Sequence, residues 1–101
     1  MKREIFTEVI VVQEQIKTVV ITGGTGGIGF QSALALAKKG MRLFVTGRNR
    51  QRGEAAANRI RELSNNPKIV FIYGDLSSMT GVDALALELK SKTDRIDVLV
   101  N

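Results

Sequence analysis

The feature that most limits the fold is Thr22-Gly23-Gly24-Thr25-Gly26-Gly27-Ile28-Gly29, a glycine-rich turn after the apolar run 17–21 and before an alanine-rich helical pattern. A helix starting at Gly27 leaves its first backbone N–H groups without intrahelical partners, and its dipole adds partial positive charge there. A diphosphate at that helix start satisfies both, so strand, turn and helix together read as a nucleotide phosphate site.

From Lys17 onward the apolar pattern alternates between strand-like runs and helical spacing, which predicts βαβ units and a parallel sheet. Strands are expected at 18–22, 42–46, 68–73 and 96–100, each short, rich in Val, Ile, Leu or Phe, and bounded by Gly, Asp or Asn. Helices are expected at 27–39, ending at Gly40, at 50–64, ending before Asn65-Asn66-Pro67, and at 78–92. On the second, Ala56, Ile60 and Leu63 share a face; on the third, Val82, Leu85, Ala86 and Leu89 do. Right-handed crossovers put the first two helices on one face and the third on the other, giving strand order 3-2-1-4. The predicted fold is thus α/β, a three-layer Rossmann-like parallel sheet over 17–101 in truncated half form. Its 96–100 strand is left as an exposed apolar edge, suited to self-association or a partner. Residues 1–16 form an extra N-terminal arm, with Ile5, Val9, Val12 and Ile16 on one helical stripe, although 9–12 reads equally as strand.

At 101 residues the chain is one domain at most. It contains neither cysteine nor histidine, which excludes disulfides, thiol nucleophiles and the usual zinc sites. The apolar runs are strand-sized, and the arm carries Glu4, Glu8 and Glu14. Neither a membrane span nor a secretory signal is expected, and a cytoplasmic location is the default. The formal charge of +5 is spread along the chain without interleaved aromatics. That pattern suits a solvated basic surface, part of it available to an anionic cofactor, better than a nucleic-acid site.

The turn fits two registers. Gly24-Thr25-Gly26-Gly27-Ile28-Gly29 satisfies G-x-G-x-x-G, and Thr22-Gly23 with Gly27 and Gly29 satisfies T-G-x-x-x-G-x-G. Phe30 stands where a P-loop requires lysine, which disfavours a nucleoside-triphosphate hydrolase. After the second strand, Thr46-Gly47-Arg48-Asn49-Arg50 has no carboxylate to hold a ribose 2′-hydroxyl, and Arg48 offers a planar guanidinium suited to a 2′-phosphate. NADP is therefore favoured over NAD.

With Gly74-Asp75-Leu76-Ser77 after the third strand and Asp97-Val98-Leu99-Val100-Asn101 at the fourth, residues 17–101 resemble the N-terminal part of the short-chain dehydrogenase/reductase family. The resemblance implies that Asp75 meets the adenine amino group, that Leu76 borders the adenine, and that Asn101 begins a segment lining the cofactor. Read from local sequence alone, Asp75 is a capping or turn residue before the third helix. The expected cofactor-binding set is Gly23, Thr25, Gly26, Gly27, Ile28 and Gly29 from the turn, Arg48 and Asn49, Asp75 and Leu76, and Asn101. The family's catalytic Ser, Tyr and Lys are implied for the second half of its domain, and Tyr73 suits a sheet residue better than a catalyst. This chain is accordingly expected to be the NADP(H)-binding half of an oxidoreductase acting on an alcohol or carbonyl, inactive by itself. The alternatives are a non-catalytic nucleotide-binding module that associates through its 96–100 edge, and a Rossmann-like domain for another nucleotide.

Overall fold

The computed structural model describes residues 16–100; the expectations for the arm fall almost wholly on 1–15, which with Asn101 lie outside the described residues. The elements are β1 (Thr18–Thr22), α1 (Gly27–Lys38), β2 (Arg42–Gly47), α2 (Arg50–Ser64), β3 (Ile69–Tyr73), α3 (Met79–Lys92) and β4 (Val98–Val100). All strand pairs are parallel and the order is β3-β2-β1-β4, as the crossover rule predicts.

Because successive side chains of a strand point to opposite faces, a sheet covered on both sides must be apolar at nearly every position. Val19 and Ile21 of β1, Leu43 and Val45 of β2, and Ile69 and Phe71 of β3 pack with Ala33 and Ala37 of α1 and Ala57 and Ile60 of α2. The intervening Val20, Phe44 and Ile72 pack with Leu85 and Leu89 of α3. Small residues let the helices come close: a Cβ on Gly53 of α2 would lie 2.1 Å from the Phe71 ring, so α2 rests its glycine directly on that ring.

The helix ends differ from expectation by local chemistry. Helix α1 stops at Lys38, because Gly40 takes φ +84 and the Gly40 and Met41 N–H groups donate back to the Ala37 and Leu36 carbonyls. Helix α3 starts at Met79 because the Ser78 hydroxyl caps it, accepting from the Gly81 N–H at 3.0 Å. Of the α3 face expected inside, only Leu85 and Leu89 are buried; Val82 and Ala86 stay exposed. A single helix presents one narrow stripe to that side of the sheet, and Leu85 and Leu89 fill it. On α2, Leu63 is likewise half-exposed where a core position was expected.

The fourth strand is shorter than expected, beginning at Val98. Asp97 replaces the missing ladder: its N–H donates to the Thr18 carbonyl and its carboxylate accepts from the Thr18 N–H, both at 2.8 Å. The hydrogen bond from Thr18, then that from Arg95, holds the Asp97 carboxyl below its ordinary value.

One polar residue is built into the apolar side. Asn66, 4% exposed, donates from Nδ2 to the carbonyls of Ala37 (3.0 Å) and Met41 (2.8 Å) and accepts from the Lys68 N–H (2.9 Å). It ties the end of α1 to the start of β3. We predict that Asn66→Ala, which strands those three backbone groups, lowers unfolding free energy by about 2–3 kcal/mol in urea titration; an unchanged midpoint would contradict this role.

Candidate functional site

The sheet order reverses at β1, which lies between β2 and β4. Helices α1 and α2 pack on one face of the sheet and α3 on the other, and a crevice opens at the C-terminal ends of β1, β2 and β3. The glycine turn sits at that crevice. Gly23 extends the ladder by donating to the Thr46 carbonyl at 3.1 Å. Gly23 and Gly27 adopt φ of +72 and +58, in the left-handed region where a Cβ is strained. A Cβ on Gly29 would lie 2.3 Å from the Gly23 carbonyl oxygen, so α1 starts in contact with the exit of β1. Gly26, by contrast, is extended at φ −161 and has open space around it. Gly24 abuts a Val45 methyl group. The strictest backbone demands thus fall on Gly23, Gly27 and Gly29, which makes T-G-x-x-x-G-x-G the structural register.

Helix α1 carries no side-chain cap and no acidic residue in its first turn. The other two helices are capped, α2 by Asn49, whose Oδ1 accepts from the Arg52 N–H at 2.9 Å, and α3 by Ser78. The α1 N-terminus therefore offers free donors and partial positive charge to whatever enters the crevice. Ile28 of this first turn is exposed.

The crevice is about 440 Å³, lined by Gly23, Thr25, Thr46, Gly47, Arg48, Gly74, Leu76 and Ser77. It shares Thr25 and Arg48 with an outer hollow of about 580 Å³, whose other walls are Asn49, Arg52, Tyr73 and Asp75. A third groove of about 440 Å³ runs behind Thr25, along Gly26, Gly27, Phe30, Arg52 and Arg59. A more apolar hollow beneath Ala86, Leu89 and Ile96 lies at the other end of the strands and contains none of the predicted site residues.

Of the residues singled out from sequence, Gly23, Thr25, Arg48, Asn49, Asp75 and Leu76 thus meet around one crevice and its outer hollow. Gly26 and Gly27 face the groove behind Thr25, and Asn101 lies outside the described residues. Asp75 combines both roles considered for it: it lines the hollow, and its Oδ1 accepts from the Ser77 hydroxyl (2.6 Å) and N–H (3.0 Å) as a turn aspartate does. Those two hydrogen bonds, with a smaller contribution from Arg48, hold its carboxyl below the ordinary range. An Arg48 Nη1 stands 4.0 Å from the same Oδ1, both side chains being partly exposed. Tyr73 sits at the end of β3 with the Arg50 guanidinium 5.0 Å from its ring centre. Sequence reasoning missed Gly74, Ser77 and Arg52 as lining residues; their signal is position, since each directly follows a strand end or lies in the first turn beyond it.

A family model described as "short chain dehydrogenase" matches residues 17–101. Dehydrogenase/reductase SDR family member 13 of Bos taurus is 41% identical over 85 residues, covering 84% of this chain and 22% of that protein. The Pseudomonas aeruginosa RhlG/NADP active-site complex superposes with TM-score 0.77 at 35% identity, covering 84% of this chain and 33% of that one. A short-chain dehydrogenase from Sphingobium yanoikuyae in complex with NADPH gives TM-score 0.72 at 31% identity, covering 83% of this chain and 32% of that one. The chain spans less than a third of the length of the curated relatives it matches. Among the described residues, no helix is long and apolar enough to cross a membrane.

The two registers make different demands that substitution separates. Gly27→Ala, which puts a Cβ on a left-handed backbone at φ +58, is expected to cost about 1–2 kcal/mol of stability. Gly26→Ala should leave stability within about 0.5 kcal/mol, since the new methyl group meets nothing. Equal losses in thermal or urea unfolding would contradict the assigned register.

Proposed function

The chain belongs to the short-chain dehydrogenase family, and from that membership we propose that residues 17–101 form the NADP(H)-binding half of an oxidoreductase acting on an alcohol or carbonyl. The observation that carries this reading is the conjunction of an uncapped α1 N-terminus with Arg48 at the exit of β2, the groove beside the one and the crevice beside the other meeting at Thr25. In this reading the free N–H groups of the first α1 turn hold the diphosphate, and Gly29 keeps that turn close enough to the sheet to do so. The Arg48 guanidinium forks onto the ribose 2′-phosphate. Leu76 covers the adenine, and Asp75 accepts from its amino group.

The residues present suit the cofactor: a carboxylate at the end of β2, which would repel a 2′-phosphate, is replaced by Gly47-Arg48. A bound nicotinamide would give hydride to a carbonyl in its reduced form or take it from an alcohol in its oxidised form. The chain's own part is to bind and orient it, the proton-transferring groups belonging to the second half of the family's domain. The NADP and NADPH named for the Pseudomonas and Sphingobium structures support the same choice. Association of two copies, or of a partner, through the β4 edge belongs to this proposal as well, supported by the exposure of Ile96, Val98 and Leu99. A cytoplasmic location is part of it too.

Calorimetric titration of the purified chain tests the reading. NADPH should bind more tightly than NADH by about tenfold or more, and Arg48→Ala should shrink that preference. Equal affinity for the two, or no binding by a folded chain, would overturn it.

A further inference from the structure

We propose that the segment before β1, residues 4–15, docks on its own chain. It lays the apolar stripe of Ile5, Val9 and Val12 into the hollow between the end of α3 and the start of β4, with Glu4 and Glu8 toward Lys90 and Lys92. None of the residues assigned to the cofactor takes part, so this docking is independent of the NADP(H) reading.

The first ground is where the segment enters. Thr18 is tied to Asp97 by two hydrogen bonds of 2.8 Å, and Ile96, the residue before Asp97, lines the hollow. Val20 packs toward α3, and alternation puts Thr18 on the same face of β1. The chain therefore joins the sheet at the rim of the hollow, on its α3 side. Ile16, the last residue of the stripe, is 58% exposed.

The second ground is the apolar match. The hollow holds about 450 Å³, with Ala86, Leu89 and Ile96 as its apolar wall. Past Ala86 and Leu89 it continues into a second hollow of about 280 Å³ that reaches Val82 and Leu99. Val82, Ile96 and Leu99 are exposed, and a helix laid over them removes them from water. As a helix, residues 5–16 span about 18 Å, and the helical period brings Ile5, Val9, Val12 and Ile16 onto one face.

The third is charge. Between residues 4 and 16 the segment has the carboxylates Glu4, Glu8 and Glu14 and neither Lys nor Arg. Glu4 and Glu8 directly precede Ile5 and Val9, so on a helix they line one flank of the stripe. The rim of the hollow is basic. Lys90 and Lys92 stand in the last turn of α3, and Lys17 is exposed at the point of entry. Arg95 and Asp97 neutralise each other at 2.8 Å, which leaves Asp94, among the described residues of the rim, to oppose those lysines. Exposed pairs add little affinity, so the charges set orientation and apolar burial supplies the driving force.

The chain has no cysteine, so Thr7→Cys, off the stripe, takes a single nitroxide label whose paramagnetic broadening of backbone amides shows where the segment lies. Docking predicts strong broadening at Val82, Ala86, Lys90 and Ile96, and weak broadening at residues 38–40, which follow α1 on the opposite face. Equal broadening at both places overturns the proposal. Broadening confined to residues 98–100 overturns it too, by placing the segment on the β4 edge as a strand. So does broadening of an unlabelled, isotope-enriched chain mixed with the labelled one, since the segment then docks on a second copy. In urea unfolding, Val9→Asp and Val12→Asp should each lower the folding equilibrium constant about fivefold or more, and Val11→Asp, off the stripe, should leave it within about twofold. A strand would make positions 9 and 11 act together and spare 12. That pattern, or no loss in any variant, overturns the docking.

Discussion

The close approach of the start of α1 to the exit of β1 is the constraint on which the rest of the site depends. A methyl group at Gly29 has no room beside the Gly23 carbonyl. That contact, with left-handed Gly23 and Gly27, turns the chain through the tight angle that aims the first turn of α1 across the end of the sheet. Any bulkier turn would lift the helix and carry its unpaired N–H groups away from the crevice. The absence of a side-chain cap on α1, where α2 and α3 each have one, leaves those donors available.

The parallel sheet then gathers the other groups. Because all strands run the same way, β1, β2 and β3 deliver Gly23, Arg48 and Asp75 to one edge, from positions far apart in sequence. Packing on both faces holds that edge in register: Val19 and Ile21 toward α1 and α2, Val20 toward α3. Polar pins close the opposite edge, Asp97 on Thr18 and Asn66 on the end of α1. The rigid end displays charge, with Arg48 neighboured by Asp75.

Strand order, layer arrangement and the family were legible in the sequence because each follows from a local pattern and a handedness rule. The helix stops at Gly40 and before Pro67 were legible for the same reason. What was not legible depends on distance. Asn66 reads as a helix terminator, but its side chain serves a carbonyl 29 positions earlier, visible only once α1 and β3 are adjacent. Val82 and Ala86 have the right spacing to be core, and exposure follows from how narrow a stripe one helix presents to the sheet. That Arg52 joins Arg48 at the outer hollow depends on the phase of α2, which the Asn49 cap fixes by accepting from the Arg52 N–H.

The most direct measurement is an amide-resolved NMR titration of the chain with NADP, following where the backbone responds. The account predicts the largest perturbations at Gly27, Ile28 and Gly29, with a second group from Arg48 to Arg52 and around Asp75. Perturbations confined to the exposed α3 and β4 side, around Val82, Ala86 and Leu99, or none at saturating cofactor, would contradict it.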